Sequence, residues 1–201
     1  MKTVIEVGAN YGTDTLKFLD EGYRVYAFEP TPNLVSHLKQ LFSHRTNFNI
    51  IPLAVDIEHK ITNFYVAGQG DWGCSSLYEF TDNIHELWQG RPDFNTTHVI
   101  QVETMRLDTF IRLMSIDDID YLWVDAQGND FNVLKSLGDD IVKVKAGKCE
   151  GSYTVDLYKN TDNHVDNISK WLEELGFVCR IVPDGVGKEA DVHFERPTKV
   201  E

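Results

Sequence analysis

The chain has 201 residues, 42% hydrophobic and 25% charged, with a formal net charge of −13. A surface that acidic repels phosphate backbones and anionic headgroups, which argues against nucleic acid or a membrane surface as partner. The length suggests one domain over 1–201, large enough to bury about 70% of its unfolded surface without disulfides or metals.

Cys74, Cys149 and Cys179 are far apart and odd in number. They make no C-x-x-C and no metal-ligand spacing, so reduced thiols in a cytoplasmic protein and no bound metal are expected. Glu6 interrupts the first apolar run, so nothing there reads as a signal peptide. No stretch approaches the roughly 20 apolar residues of a membrane span.

Periodicity and punctuation set the elements in chain order. A strand over 3–7 leads to a helix over 13–20, stopped by Gly22; a strand over 24–29 leads to a helix over 33–43. Residues 48–55 read as a third strand, broken only by Pro52. The alternation then changes: an added strand at 60–67, a long Gly- and aromatic-containing loop, a short helix at 83–89 and a strand at 98–104. A helix at 107–114 precedes the fourth strand of the main sheet, 120–126, which is followed by a helix at 129–137. The fifth strand is expected at 142–149 and an amphipathic helix at 162–175, with Val165, Ile168, Leu172 and Leu175 as its stripe and Gly176 at its C-terminus. FVCRIVP and ADVHFE, joined by DGVGKE, form an antiparallel hairpin, because a parallel pair needs a crossover of a dozen or more residues.

A mostly parallel sheet ending in such a hairpin is the layout of class I methyltransferases, whereas a dehydrogenase Rossmann domain would continue with another parallel strand. The stretch VIEVGANYGTDTL carries a strand into a Gly-rich turn that opens a helix. Its Gly8-x-Asn10-x-Gly12 spacing is not the G-x-G-x-x-G of a dinucleotide fold. Further motifs follow: Phe28-Glu29-Pro30, Ala54-Val55-Asp56, Ser75-Ser76-Leu77, Leu107-Asp108, Asp125-x-x-Gly128 with Val133-Leu134-Lys135, and Cys149-Glu150. In order and spacing this set resembles the FkbM family of S-adenosylmethionine-dependent methyltransferases over roughly residues 3–180.

The resemblance implies an α/β fold, a Rossmann-like class I methyltransferase sandwich with a mostly parallel sheet and a C-terminal antiparallel hairpin. It implies S-adenosyl-L-methionine as cofactor, bound by Glu6, Gly8, Ala9, Asn10, Tyr11, Gly12, Thr13, Glu29, Pro30, Asp56, Ser75, Ser76, Asp125 and Gln127. An acid at Glu6 suits a cofactor bearing an ammonium and a sulfonium, and Asn10 tolerates the positive φ of such a turn. Glu29 can accept hydrogen bonds from both ribose hydroxyls, as an acid does in the NAD folds too. Asp56 can reach an adenine amino group, or simply form a turn. Ser75 and Ser76 can contact the cofactor's carboxylate or cap a helix.

Asp125 and Glu150 are the catalytic candidates, both expected at strand ends. Asp125 can position the cofactor's methionine end or take a proton from a substrate hydroxyl. Glu150 can pair with it, or only cap a helix. Gln127 stands where the family usually has Glu in its D-x-E-G motif, removing a possible base or metal ligand there. Trp72, Tyr78, Phe80 and Trp88 can stack on a sugar or ring substrate, or pack the loop on the core. The histidines are scattered, with none paired at metal spacing, and His85, His98 and His164 read as surface residues. The resulting expectation is O-methylation of a hydroxyl on a sugar, glycan or polyketide-like small molecule. Its rivals are a nucleotide-dependent oxidoreductase, opposed by the missing glycine pattern and the hairpin, and a non-catalytic cofactor-binding module, which Gln127 keeps open.

Overall fold

The computed structural model describes residues 1–68 and 73–197. The chain forms two compact units: Met1–Thr62, Gln101–Asp125 and Asn132–Lys145 make the first, and Asn63–Ile100, Ala126–Phe131 and Ala146–Glu201 the second.

The first unit is built on parallel strands. β1 (Thr3–Val7) pairs with β2 (Arg24–Phe28) on one side and β7 (Tyr121–Val124) on the other, and β2 pairs with β3 (Phe48–Ile51). β1 and β2 read as near-continuous apolar runs because parallel strands are covered on both faces. Val4, Val25 and Ala27 pack with Leu19 of α1 (Thr13–Asp20) and Leu38 of α2 (Pro32–Leu41). Tyr26 and Phe28 alternate to the opposite face, where Phe110 of α4 (Leu107–Leu113) meets them edge-on at 5.4 and 4.9 Å. Full burial of each such side chain stabilises the unit by about 1.5–3 kcal/mol.

The expected third strand over 48–55 is two strands. β3 ends at Ile51, ahead of Pro52, which lacks an N–H for the ladder. β4 (Ala54–Val55) instead runs parallel with Thr104 and Met105 of β6 (Thr96–Met105), in a small sheet of order β4-β6-β5 whose edge strand β5 is Ile61–Ala67.

In the second unit β10 (Glu189–Glu195) lies between β8 (Ala146–Ser152) and β9 (Val178–Pro183), antiparallel to both. The β9–β10 hairpin is the expected one; Asp184 closes its turn by accepting from the N–H groups of Val186 and Lys188 at 3.2 and 3.0 Å. Four parallel strands in the first unit and three antiparallel strands in the second bear out the expected mostly parallel α/β architecture with a C-terminal hairpin. α6 (Val165–Glu174) buries Val165, Ile168 and Leu172 completely, while Leu175 is its exposed C-cap and Gly176 follows with φ 85°. The loop before β6 has a core of its own, in which Trp88 and Phe94 of the segment around α3 (Ile84–Leu87) pack with Leu157 and Tyr158, and Tyr78 and Phe80 cover them.

The expected fifth strand is displaced. Residues 138–143 form a 3₁₀ helix after α5 (Asp130–Lys135), and β8 runs from Ala146 to Ser152. Ile141 and Val144 are buried and Val142 is exposed. That is the i, i+3 spacing of a 3₁₀ turn, hidden in a run that reads as strand.

Candidate functional site

The turn after β1 is fixed by its backbone. The N–H groups of Gly8 and Ala9 both donate to the Phe28 carbonyl, at 3.0 and 3.1 Å, and Asp125 N–H donates to the Val7 carbonyl at 2.9 Å. Gly8 has φ 88°, and a Cβ there would lie 1.9 Å from the Asp125 carbonyl oxygen, so no other residue fits. Asn10 follows in the left-handed region with φ 47°.

Glu29, one residue beyond β2, holds this turn. Its Oε2 accepts from Asn10 N–H at 3.0 Å and its Oε1 from Thr31 N–H at 2.8 Å, with the residue 4% exposed. Burial pushes its carboxyl pKa up, against the lowering effect of those two N–H donors. Flanking it, Asn10 Oδ1 and Thr31 Oγ1 are buried without a hydrogen-bond partner among the described residues. Buried polar atoms are rarely left so, and each costs about 1–3 kcal/mol until a partner arrives.

Glu6 lies inside β1, 1% exposed, and its Oε2 accepts from the Thr15 hydroxyl at 2.6 Å. Burial pushes its pKa up to about 8, with Asp14 and Asp125 adding negative potential, so it keeps its proton at neutral pH. Asp56 is also buried, but its carboxylate serves its own turn: Oδ1 accepts from Ile57 N–H at 2.8 Å and Oδ2 pairs with Lys60 at 3.0 Å. Ala9 is buried, Pro30 half-buried, and Tyr11 and Thr13 exposed. Asp125 follows β7 directly and is half-buried.

The second unit holds a separate polar network around the turn after β7. Gln127 has φ 49° and Gly128 φ 89°; a Cβ on Gly128 would lie 2.6 Å from the Tyr158 ring, which covers the turn. Gln127 Nε2 donates to Glu150 Oε2 at 3.1 Å, and the Tyr158 hydroxyl stands 2.7 Å from Gln127 Oε1 and 2.9 Å from the Cys74 carbonyl oxygen. The Ser76 hydroxyl, fully buried, donates to the Gln127 carbonyl at 2.6 Å and accepts from Tyr78 N–H at 3.0 Å. Ser75 Oγ accepts from Ala67 N–H at 3.0 Å.

Glu150 is therefore not at a strand end, as the sequence suggests. It sits within β8 opposite Asp191 of β10, and its backbone is held on both sides. Glu150 N–H donates to Asp130 Oδ1 at 3.1 Å, and its carbonyl accepts from Asn163 Nδ2 at 3.1 Å. Asn163 Oδ1 in turn accepts from Phe131 N–H at 2.9 Å.

A family model of the Methyltransferase FkbM domain matches residues 6–179. The chain belongs to the FkbM methyltransferase domain family. It is 24% identical over 149 residues to the 2-O-methyltransferase NoeI of Sinorhizobium fredii (strain NBRC 101917 / NGR234), covering 71% of this chain and 60% of that protein. The chain thus spans about three-fifths of the length of that curated relative. Among solved structures its fold is similar to Aeropyrum pernix fibrillarin with bound S-adenosyl-L-methionine (TM-score 0.54, 13% identity, 96% of this chain and 66% of that one). It is also similar to an rRNA methylase from Streptococcus thermophilus (TM-score 0.52, 13% identity, 98% and 87%). The class I methyltransferase fold expected from the strand order is the fold observed.

Placed in this FkbM chain, the sequence-predicted residues fall into two groups. Glu6, the Gly8–Gly12 turn, Glu29, Asp56 and Asp125 lie in the first unit; Ser75, Ser76, Gln127 and Glu150 lie in the second. Trp72 lies outside the described residues, and Tyr78, Phe80 and Trp88 belong to the loop core. Sequence reasoning missed Tyr158, Asp130 and Asn163. Asp130 was within reach, two residues after the Gly128 motif; Tyr158 occupies a segment without periodicity, and Asn163, expected inside the helix over 162–175, precedes α6, which begins at Val165. His85 and His98 are exposed, while His164 caps α6 by accepting from Asp166 N–H at 3.2 Å. Among the described residues no three His, Cys, Asp or Glu side chains gather as metal ligands would, and no helix is long and apolar enough to cross a membrane.

Proposed function

We propose that this chain uses S-adenosylmethionine to methylate a hydroxyl oxygen on a sugar- or polyketide-like small molecule. The observation that carries it is Glu29 with its two flanking orphans, Asn10 Oδ1 and Thr31 Oγ1. A nucleoside offers hydroxyl and amino donors for such atoms, so the residues fit the cofactor. When bound, the cofactor supplies a methyl group on a sulfonium, already a strong electrophile. Glu29 accepts from the ribose hydroxyls, and Ala9, Tyr11, Gly12, Thr13 and Pro30 border the same turn. Asp125 gives the cationic end a negative potential, whereas Glu6, holding its proton at neutral pH, borders that end as a neutral carboxyl; Gly8 admits the close approach of the Asp125 backbone. Asp56 borders the base, while Ser75 and Ser76 order their own loop, Ser75 by accepting from Ala67 N–H and Ser76 by donating to the Gln127 carbonyl.

Asp125 is the positioner in this reading, and Glu150 the proton acceptor. Its backbone is clamped by Asp130 and Asn163 and its carboxylate by Gln127, so little reorganisation is needed when a hydroxyl is presented. The NoeI relative is named for 2-O-methylation, which supports oxygen as the acceptor. The net charge of −13 favours a small molecule over nucleic acid. We take residues 1–201 as one methyltransferase domain working in the cytoplasm, where Cys74, Cys149 and Cys179, none in a disulfide, stay reduced.

Calorimetric titration should show S-adenosylmethionine and S-adenosylhomocysteine binding and no binding of NAD or NADP. A preference for NAD would overturn the cofactor assignment. Incubating the protein and methyl donor with a panel of hydroxylated sugars and polyketides, read by mass spectrometry, should show a gain of one CH₂ on oxygen. Methylation confined to nitrogen or to RNA would overturn the acceptor class.

A further inference from the structure

We propose that the Gln127 side chain is an amide rotor that reads the protonation state of Glu150 and passes it to Tyr158 and the Cys74 carbonyl. The starting observation is a mismatch of donors and acceptors. The Tyr158 hydroxyl has one proton, yet two acceptors stand within hydrogen-bond distance, Gln127 Oε1 at 2.7 Å and the Cys74 carbonyl at 2.9 Å. On the other side of the same amide, Gln127 Nε2 lies 3.1 Å from Glu150 Oε2.

With Glu150 ionised, the amide nitrogen must face the carboxylate, and the amide oxygen competes with Cys74 for the tyrosine proton. With Glu150 protonated, the amide can turn by half a rotation, since its oxygen and nitrogen are nearly isosteric. The new acid O–H then donates to Gln127 Oε1, Gln127 Nε2 donates to the Tyr158 oxygen, and the Tyr158 hydroxyl donates to the Cys74 carbonyl. Among these four groups the protonated arrangement makes three hydrogen bonds in a continuous chain where the ionised one makes two. Tyr158 favours the protonated form by one hydrogen bond, and Gln127 is the link.

A glutamate at position 127 could not do this. Two carboxylates at this separation would share one proton and titrate as a coupled pair. Other titratable groups lie beside Glu150: Lys148, two residues earlier on β8, is paired with Asp191 of β10 at 2.8 Å. Asp130 takes the Glu150 N–H, and Glu189 of β10 lines a small polar cavity with Glu150, Ser152, Tyr158 and Asn163.

The use of the rotor in turnover rests on the reading of Glu150 as proton acceptor. In that step the new O–CH₃ bond forms as the S–CH₃ bond breaks, and the hydroxyl proton passes to a Glu150 oxygen. The turned amide holds that proton until solvent removes it, and Gln127 turns back. Gln127 is accordingly a positioning residue.

The test is a pH titration of the Glu150 carboxyl carbon and the Gln127 side-chain amide by NMR, on the full ligand-free chain. The wild type is compared with Gln127→Glu and with the conservative Tyr158→Phe, circular dichroism confirming the fold of each. In the wild type the Gln127 amide resonances should move with the Glu150 midpoint. Gln127→Glu should raise the proton affinity of Glu150 by about tenfold or more, and Tyr158→Phe should lower it by about three- to tenfold. Amide resonances indifferent to the Glu150 midpoint, or a midpoint unmoved in folded Tyr158→Phe, would overturn the rotor. Rate–pH profiles of the same proteins separate the two readings. An acidic limb that follows each shifted midpoint supports both, and coupled titration with an unmoved limb keeps the rotor and removes Glu150 from the reaction.

Discussion

Two strand-to-helix turns use the same backbone device for opposite ends. After β1, Asn10 takes φ 47° next to the glycines at 8 and 12; after β7, Gln127 takes φ 49° just before Gly128. In the first turn the backbone N–H groups are committed, two to Phe28 and one to Glu29, and Asn10 Oδ1 and Thr31 Oγ1 have no hydrogen-bond partner among the described residues. In the second the side chain is committed, with the Gln127 amide engaged at both ends and its carbonyl taken by Ser76. On the proposed function the first turn awaits the cofactor, held by its main chain with side-chain atoms in reserve. A turn that orients a carboxylate is held by side chains and is complete before any ligand comes. The orphaned atoms of the first turn cost stability that binding can recover.

The glycines test this contrast most severely. Gly8→Ala should destabilise by about 4 kcal/mol or more, because its obstacle is the Asp125 backbone carbonyl at 1.9 Å and a positive φ adds strain. Gly128→Ala should cost about 2 kcal/mol, because the obstacle is a Tyr158 ring that can swing aside. Urea unfolding midpoints decide, and equal losses would erase the difference between the two turns.

Next in size is a pH effect confined to the first unit. The folded protein holds on Glu6 a proton that the unfolded chain releases above about pH 4.5, the ordinary value, and gives it up only near pH 8. The stabilisation is complete below pH 4.5 and declines as pH rises to about 8. Buried Glu29 acts in the same direction. From pH 5 to 8 the wild type should lose roughly 3–4 kcal/mol more than Glu6→Gln does, and parallel stability curves would show that Glu6 is not proton-bearing in the fold.

Glu29→Ala strands two buried N–H donors, at Asn10 and Thr31, and should cost about 2–3 kcal/mol of stability as well as cofactor affinity. A surface-like loss under 0.5 kcal/mol, measured by denaturant titration, would mean that something else holds the first turn. The smallest effect separates the two left-handed residues. Gln127→Ala should lose about 1–2 kcal/mol, whereas Asn10→Ala should stay within about 0.5 kcal/mol and lose cofactor affinity about tenfold by calorimetry. Asn10→Ala unfolding as readily as Gln127→Ala would remove the idea that its oxygen is held in reserve.

The sequence by itself determined the parallel strands of the first unit, the glycine turn after β1, Glu29 beyond β2, the stripe of α6 and the final hairpin. Each of these follows from local rules: continuous apolar runs, positive-φ positions, helical spacing and a loop too short for a crossover. Only the tertiary structure decided the rest. Pro52 splits a strand because its missing N–H matters only where a ladder partner exists. The residues AGKCEGS, two of them glycine, form β8 because β10 pairs with every one of them, and that pairing moves Glu150 from a strand end to a strand interior. The proton that Glu6 keeps, and the Tyr158–Gln127–Glu150 chain, depend on burial and on contacts between residues 31 and 23 positions apart. No window of sequence contains those contacts, because desolvation and long-range hydrogen bonds come into being only when the chain has folded.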